Sequence, residues 1–435
     1  MFLCHLILAG LCASVQCAPL HEHGNNLLRS LNLPIDEAGA TAFSLIYGAP
    51  LQQFRQLAST SGILKGEGSN ALGSHYTTAT ASVRNVVRPN VDTIYATGIF
   101  DLSATDLVVT LPPMEEDRFY LFGFYDPPNP IGTLLIRVEV KDNDTDVSHV
   151  ASYLSNSTLA TVNPHAASHP PLTLTDFADL SNSTVLSTLQ LTARLQSRAT
   201  PESAAFQHKV PAILALAGIR NGSYNQPNGV NMTLAAELAK AATTAFTKAP
   251  SSYPDLGNGW SMMNNSYSGT FELGTAFIPR AITAAALYLQ VTPANALYPT
   301  LGSTQTSLTE GEAYVFTFSG RPPVADSGFW SLTMYDDSGY LVANSENTWA
   351  VGDRSNITFA DGGLVYGNGT ADGSFQVLVQ DAGIPPPTNW TSNWLPAPSG
   401  GGSSTVTFRL YAPTDALSDG SYVYPLVEKV DAITA

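Results

Sequence analysis

The stretch FWSLTMYD, residues Phe329–Asp336, alternates large apolar side chains with smaller or polar ones. Because successive side chains of a β-strand point to opposite faces, Trp330, Leu332 and Met334 are predicted to share one face, with Tyr335 on the other. Aromatic stripes at this spacing are most often part of a core. The stretch therefore predicts a strand of a β-rich module with one face buried.

Similar runs occur in two parts of the chain, where Pro, Asp and Gly residues separate them. The first part predicts a β module at residues 80–140, and the second predicts a C-terminal β domain at residues 281–435. Before them, helical spacing from Asp36 to about Thr60 predicts a helical lead-in, with Asp36 as N-cap and Pro50 as a break. The predicted strands are Val83–Val87, Thr93–Phe100, Leu107–Leu111, Arg118–Phe124, Thr133–Val140, Ala313–Phe318, Phe329–Tyr335, Phe375–Gln380 and Thr405–Tyr411.

Residues 145–275 are rich in Ser, Thr and Asn. Helical patches at Val185–Arg198 and Leu234–Lys248 indicate a partly helical insertion, and Ala276–Gln290 predicts a further, buried helix. These segments assign residues 36–280 to an N-terminal domain. The predicted fold class is β-rich α+β, with a helical lead-in, two β-sandwich or jelly-roll-like modules and a partly helical middle insertion.

Residues 1–18 predict a secretory signal peptide, because a short apolar run is followed by small and polar residues and then by Pro19. The run is shorter than the roughly 20 residues that a membrane span needs. All three cysteines, Cys4, Cys12 and Cys17, lie within it. We therefore expect a secreted, extracellular chain without disulfides, catalytic thiols or membrane association.

The charge and the glycosylation sequons bear on the partners of the chain. A formal net charge of −16, with no cluster of Lys or Arg, argues against nucleic acid and anionic membranes as partners. Sequons for N-glycosylation fit an exported protein. The predicted sites are Asn143, Asn156, Asn182, Asn221, Asn231, Asn264, Asn356, Asn368 and Asn389.

Arg88, Asn90, Asp92 and Tyr95 belong to the densest polar cluster of the sequence, which lies between two strand-like runs. Strand alternation would place Arg88, Asn90 and Asp92 on one face. Arg88 would then clamp a carboxylate or polyol, Asp92 would serve as general base or orient the arginine, and Tyr95 is a third catalytic candidate. The alternative is a buried Arg88–Asp92 pair that ties a turn to the sheet.

Aromatic side chains are candidates for binding a ligand beside Asn90. Tyr125, Trp330, Tyr335 and Trp394 come from three aromatic-rich stretches and would line a pocket for an apolar or sugar-like ligand. The alternative is that these aromatic side chains simply pack in the core, which is the commoner role at strand spacing.

Motifs for a metal or a cofactor do not accompany these residues. His165 and His169 have the spacing of helical metal ligands, but Pro164, Pro170 and Pro171 exclude a helix there. No nucleophile elbow, phosphate loop or dinucleotide fingerprint follows a predicted strand. The sequence therefore predicts no metal site and no redox or nucleotide cofactor, which leaves carboxylate, arginine and tyrosine side chains for chemistry.

Two sets of motifs resemble a pair of domain families. The N-terminal set, NVVRPNVDTIY at Asn85–Tyr95 followed by Asp101-Leu and Arg118-Phe-Tyr, is similar to the domain of unknown function twelve fifty-four. The C-terminal set resembles its usual partner, twelve fourteen, in Tyr298-Pro-Thr, Phe329–Asp336, Gly352-Asp-Arg354, Ser392–Pro398 and Phe408–Tyr411. The resemblance spans about residues 36–140 and 280–430. It implies a β-rich architecture of two modules with a helical lead-in, and it implies no catalytic residues.

Three functions fit these observations. The first is a pocket enzyme without a redox cofactor, a hydrolase, lyase or isomerase, acting on a small organic acid, a sugar derivative or a secreted metabolite. The second is a non-catalytic protein that binds carbohydrate or cell wall. The third is a cyclase that shapes a biosynthetic intermediate in an apolar pocket. All three imply a small-molecule or carbohydrate ligand, and the sequence does not decide whether the ligand is turned over.

Overall fold

A computed structural model describes residues 24–434, apart from 61–63, 65–67, 85–86, 126–130, 142–144, 199–202, 270–275, 302–305 and 368–372. The predicted signal peptide and the predicted glycosylation sites Asn143 and Asn368 lie outside these ranges. The described chain has the β-rich α+β fold class predicted from the sequence. Its sheets are mostly antiparallel, and none of those described closes into a barrel.

Helices and strands are numbered here in chain order. The α-helices are α1 (Glu37–Arg55), α2 (Val147–Ser155), α3 (Thr184–Leu195), α4 (Lys209–Leu216), α5 (Met232–Lys248) and α6 (Phe277–Ala286). The strands of the first half are β1 (Gly73–His75), β2 (Thr93–Asp101), β3 (Asp106–Thr110), β4 (Tyr120–Tyr125), β5 (Ile131–Glu139), β6 (Thr158–Val162), β7 (Ile219–Arg220), β8 (Ser223–Tyr224), β9 (Asp255–Gly257) and β10 (Trp260–Ser261). The strands of the second half are β11 (Ala296–Leu297), β12 (Thr300–Leu301), β13 (Thr306–Leu308), β14 (Glu312–Phe318), β15 (Trp330–Asp336), β16 (Ala350–Gly352), β17 (Phe375–Asp381), β18 (Trp394–Ala397), β19 (Gly402–Tyr411) and β20 (Leu426–Asp431).

Helix α1 lies at the centre of a helical layer. Asp36 is its N-cap, as predicted, because its carboxylate accepts a hydrogen bond from the backbone N–H of Gly39 at 2.9 Å. The prediction that Pro50 breaks the helix is wrong, since α1 continues through it. Ile46 and Phe54 of α1 pack against helices of the predicted insertion. This packing offsets the hydrogen bond that Pro50 cannot donate.

The N-terminal sheet has the strand order β1-β2-β5-β4. On one face, apolar residues such as Ile94 of β2 and Ile136 of β5 pack under helix α2. The residues between them point to the other face, because side chains alternate along a strand. On that second face Tyr95 and Arg137 are directly opposed across the two strands. One face of this sheet is therefore an apolar core, and the other carries polar groups.

The C-terminal half is a β-sandwich. Its central sheet has the order β16-β15-β19-β12-β10-β9, with β11 and β13 also paired to β19, and its outer sheet has the order β18-β17-β14-β20. Strands β9 and β10 join the central sheet although they precede residue 281. The core between the sheets contains Trp330, Leu332 and Met334, which confirms the face predicted from alternation. Arg409 and Tyr411 of β19 lie on the opposite face of the central sheet.

Candidate ligand-binding cavity

The polar faces of the N-terminal sheet and the central sheet enclose a cavity of about 220 Å³. The segment before β2 and the segment after α6 complete its wall. Charged and hydrogen-bonding side chains in the wall include Arg88, Asn90, Tyr95, Arg137, Arg409 and Tyr411. Apolar side chains in the wall include Leu57, Val83, Val87, Leu135, Leu287 and Leu289.

Arg137 projects from the middle of β5 and is only 7% exposed. Its guanidinium carbon lies 5.4 Å from the ring centroids of both Tyr95 and Tyr411. Its Nη1 donates a hydrogen bond to the hydroxyl oxygen of Tyr411 at 2.5 Å. Its Nε has no hydrogen-bond partner among the described residues, and no described carboxylate pairs with it. A buried positive charge in this cavity thus lacks a counter-ion from the described chain.

Two further arginines line the same cavity. Arg409 is 2% exposed and donates from Nη1 to Thr333 Oγ1 and from Nη2 to the backbone oxygen of Arg88, both at 2.9 Å. The Nε of Arg88 has no partner in the described part of the chain. No carboxylate within the described ranges pairs with either side chain. Three guanidinium groups therefore converge on one cavity, and no acidic side chain of the described residues neutralises them.

The backbone of Arg88 is in the left-handed region, with φ of 52°. This conformation is uncommon for a large side chain, and Pro89 restricts the residue further. The N–H of Arg88 donates to the backbone oxygen of Gly339 at 2.8 Å, and its carbonyl accepts the bond from Arg409. Contacts from the C-terminal half thus hold a strained loop at the cavity. The predicted strand Val83–Val87 is wrong for the described residues of that run, which form loop.

Tyr95 and Tyr298 in the cavity wall, and Tyr125 outside that wall, stay neutral near pH 7. Burial raises the pKa of Tyr95 to about 12 and that of Tyr125 to about 12, in each case against the opposing effect of Arg137. Burial also raises the pKa of Tyr298 well above its ordinary value. These hydroxyls keep their protons at neutral pH, so they do not supply the negative charge that Arg137 lacks.

Asp92 does not line this cavity. It is 2% exposed, and it accepts hydrogen bonds from Arg354 Nε at 2.9 Å and from Ser331 Oγ at 2.7 Å. Arg354 also donates to two backbone oxygens of the N-terminal half, each at 3.2 Å. The partner of Asp92 is therefore Arg354 and not Arg88. The prediction that strand alternation places Arg88 and Asp92 on one face is wrong, because the residues between them form a loop.

Two more acids lie near the pair of Asp92 and Arg354, the buried Glu139 and the half-buried Asp353. Glu139 is 5% exposed and accepts a hydrogen bond from the backbone N–H of Phe119 at 3.1 Å. Burial, with a smaller contribution from Asp92, raises the pKa of Glu139 to about 7. Burial and the neighbouring Glu139 raise the pKa of Asp353 well above its ordinary value. This end of the interface between the two halves is therefore rich in buried acids.

The predicted ligand-binding residues divide between cavity and core. Trp330 and Trp394 are 0% and 4% exposed and pack in cores of the C-terminal half, so the core-packing alternative describes them. Tyr335 is also buried, and its hydroxyl donates to the backbone oxygen of Pro89 at 2.7 Å behind the cavity wall. Asn90 lines the cavity. The wall also includes Arg88 and Tyr95, two of the three predicted catalytic residues.

Sequence reasoning missed Arg137, Arg409, Tyr298 and Tyr411, all of which line the cavity. A signal for the two arginines was present. Arg409 is the single charged residue of β19, Arg137 is the single cation of β5, and arginine is rarely buried without a partner. Such a residue marks either a buried ion pair or a ligand site.

The described residues also bear on metal binding and on membrane insertion. Within the described ranges, no group of three or more His, Cys, Asp or Glu side chains could hold a metal ion. His169, one of the two histidines at helical spacing, lies with Nε2 2.9 Å from the backbone oxygen of Ser197. No described helix combines the length and the apolar character needed to cross a bilayer.

Comparisons with known proteins bear on the fold and on the family. The chain is similar to the crystal structure of the VPA0106 protein from Vibrio parahaemolyticus, with a TM-score of 0.55 and 15% sequence identity, over 91% of this chain and 100% of that one. At this identity the likeness concerns the fold alone. No curated protein matches the sequence. Two family models match, each described as a protein of unknown function: DUF1254 at residues 69–129 and DUF1214 at residues 295–415. The chain therefore carries the two paired domains that its motifs resemble, DUF1254 in the N-terminal half and DUF1214 in the C-terminal half.

Proposed function

We propose that this chain is a pocket enzyme without a redox cofactor, and that it binds a small organic anion in the cavity between its two halves. The observation that carries this proposal is the convergence of Arg88, Arg137 and Arg409 on one cavity without a carboxylate partner among the described residues. The reaction class is that of a hydrolase, lyase or isomerase acting on an organic acid.

The charge argument begins with the cost of burying a guanidinium group. An ion removed from water loses several kcal/mol of solvation, and this loss persists unless an opposite charge lies close by. A ligand carboxylate would supply that charge and would accept two parallel hydrogen bonds from a guanidinium fork. The chain as a whole carries a net charge of −16, so this basic cavity differs from its surroundings. The difference supports selection of an anion at this place.

The size and the lining of the cavity narrow the ligand further. Its volume of about 220 Å³ lies below the roughly 300–1,000 Å³ of pockets for drug-sized ligands. Leucine and valine side chains form part of the wall, so the ligand has an apolar body beside its charged group. The carbohydrate-binding alternative loses support because Trp330 and Trp394 are packed in cores. The cyclase alternative fits less well. A cyclase of that kind needs only an apolar pocket, and the arginines of this cavity would have no role in it.

Side chains suited to proton transfer line the same wall. His75, at the end of β1, is exposed and reaches the cavity, and an imidazole ring can both donate and accept a proton. Tyr95 and Tyr411 add two phenol groups. A carboxylate held by the arginines would place the rest of a small ligand near these groups, which is the arrangement that general acid–base catalysis requires.

Binding is tested by isothermal titration calorimetry with acetate, succinate and benzoate, each compared with its neutral amide. We expect at least one carboxylate to bind about tenfold or more tightly than its amide, because the amide lacks the charge that the arginines need. Arg137→Met should remove this preference, and Arg220→Met, at an exposed arginine, should keep it. Equal binding of acids and amides, or no binding of any acid to the wild type, would exclude the proposed site. Turnover of a bound acid is followed by proton NMR of the ligand.

Export and glycosylation form a separate part of the proposal. Exposure of the described sequon asparagines Asn156, Asn182, Asn221, Asn231, Asn356 and Asn389 supports glycan attachment to a secreted chain. Asn264 differs, because it is half-buried and its Nδ2 donates to the backbone oxygen of Ser251 at 3.2 Å. We expect secreted material to start near Ala18 and to lose mass on N-glycan removal, with Asn264 unoccupied. Peptide mapping that finds Asn264 occupied and the exposed sites bare would contradict this.

A further inference from the structure

The hydroxyl group of Tyr411 occupies a fixed position in the cavity wall. Its side chain is fully buried, with 0% exposure. The ring of Phe329 stacks on it with centroids 4.3 Å apart, and the ring of Phe119 lies at 5.0 Å. These contacts restrict rotation of the Tyr411 ring and fix its oxygen. The direction of the O–H bond then depends only on which neighbours donate to that oxygen and which accept from it.

The first neighbour is the side-chain amide of Asn90, whose orientation follows from the backbone. The N–H of Asp92 lies 2.5 Å from one end of the amide. A backbone N–H can only donate, so the atom it meets is the carbonyl oxygen Oδ1. The other end is therefore the amino group Nδ2, and it lies 2.7 Å from the Tyr411 oxygen. Asn90 donates a hydrogen bond to Tyr411 and cannot accept one from it.

The second neighbour, Arg137, is also a donor. A guanidinium group has no acceptor atom, so its Nη1, 2.5 Å from the Tyr411 oxygen, donates as well. A phenol oxygen has two lone pairs and one proton. Both lone-pair directions are taken, and no hydrogen bond in the described chain accepts the Tyr411 proton. Because Tyr411 contributes to the cavity lining, an acceptor on a ligand in the cavity is what would complete the hydrogen bonding of this hydroxyl.

We propose that Tyr411 is the hydrogen-bond donor that selects the ligand group in this cavity. The ligand atom that meets it is an unprotonated oxygen, as in a carboxylate or a carbonyl group, because only an acceptor satisfies the remaining proton. A ligand ammonium group at this position is excluded, because it has no lone pair that could accept the proton. This inference rests on the proposed function, and it adds a specificity determinant that acts together with the arginines.

The test compares two probes of nearly the same shape, benzoate and nitrobenzene, by calorimetric titration. Nitro oxygens are weak acceptors, whereas carboxylate oxygens are strong ones. Tyr411→Phe keeps the ring contacts and removes the donor. We expect it to weaken benzoate binding about tenfold or more and to leave nitrobenzene within about twofold, since a hydrogen bond to a charged group contributes the most. Tyr424→Phe, which removes another buried hydroxyl that donates to Leu417 O at 2.9 Å, should change neither.

Three results would overturn the assignment of Tyr411. They are an unchanged benzoate affinity in Tyr411→Phe, an equal loss for both probes, and a loss of similar size in Tyr424→Phe. If Tyr411→Phe does not fold, Asn90→Ala is the second variant. It keeps the Tyr411 hydroxyl group but removes a donor that orients the O–H bond. Benzoate should then bind about threefold or more weakly than to the wild type, whereas nitrobenzene binding should not change. If the wild type binds no carboxylate, the proposed function fails, and this inference fails with it. Carboxylate binding that does not depend on Tyr411 removes only the inference.

Discussion

Arg354 and Arg137 both lie at the interface between the two halves of the chain, and their surroundings are opposite. Arg354 bonds the carboxylate of Asp92 at 2.9 Å and two backbone oxygens. Arg137 bonds the hydroxyl group of Tyr411, and its Nε has no partner among the described residues. The Arg354 end of the interface contains buried acids, whereas the Arg137 end contains buried cations.

This difference separates two uses of the same side chain. A paired buried arginine holds elements together, because removal of either partner leaves an uncompensated charge. An unpaired buried arginine lowers the stability of the folded state, and an opposite charge on the proposed ligand would offset that cost. The two ends of one interface should therefore respond differently to substitution, in stability at the Arg354 end and in ligand binding at the Arg137 end.

The largest effect is expected from Asp92→Ala. This variant removes the carboxylate that Arg354 bonds at 2.9 Å and that Ser331 Oγ also bonds, so it should lower the free energy of unfolding by about 3–5 kcal/mol, with poor secretion. Urea unfolding measures it. The control is Arg84→Ala, which breaks the more exposed 3.2 Å pair with Asp336 and should cost no more than about 1 kcal/mol. Similar losses in both variants would show that the buried pair does not hold the halves together.

The second effect is a pH dependence from Glu139. Burial raises its pKa from the ordinary 4.5 to about 7, so the folded state binds the proton more tightly than the unfolded state. The contribution of Glu139 to stability is then full below about pH 4.5 and is lost as the pH rises through about 7. The shift corresponds to about 3 kcal/mol. Glu139→Gln should flatten this part of the stability profile between pH 5 and 8, and an unchanged slope would exclude Glu139 as its source.

A smaller effect is expected at the strained loop. Arg88 has φ of 52°, where a residue with a Cβ atom is disfavoured by about 1–2 kcal/mol and glycine is not. Arg88→Gly should therefore melt higher than Arg88→Ala, by an amount equivalent to about 1 kcal/mol. Both variants should lose carboxylate binding. An Arg88→Gly variant that is less stable than Arg88→Ala would show that the loop is not strained.

The smallest loss of stability is expected from Arg137→Met. It removes one hydrogen bond and one costly buried charge, so the free energy of unfolding of the ligand-free chain should fall by no more than about 1 kcal/mol below that of the wild type. Urea unfolding without ligand provides the measurement. A loss as large as that of Asp92→Ala would mean that Arg137 is structural, and the contrast between the two ends of the interface would disappear.

Local sequence patterns were sufficient to predict much of the fold. Alternation in Phe329–Asp336 predicted which side chains enter the sandwich core, and Asp36 was identified as a helix cap from its position before an apolar run. These features depend on neighbours within a few residues, which the sequence displays directly. The same rules failed at Pro50, where packing of helices distant in sequence holds α1 together, and at Val83–Val87, which is loop in the described chain.

The site was only partly visible in the sequence, because its contacts are far apart along the chain. The polar cluster containing Arg88, Asn90 and Tyr95 was found, since those residues are consecutive or nearly so. Arg137 and Tyr411 are 274 residues apart, and Asp92 and Arg354 are 262 apart. Alternation determines that a side chain lies on one face of a strand, but not which other face it meets. Tertiary packing of the two sheets alone decided that Asp92 pairs with Arg354 and that Arg137 has no carboxylate partner among the described residues.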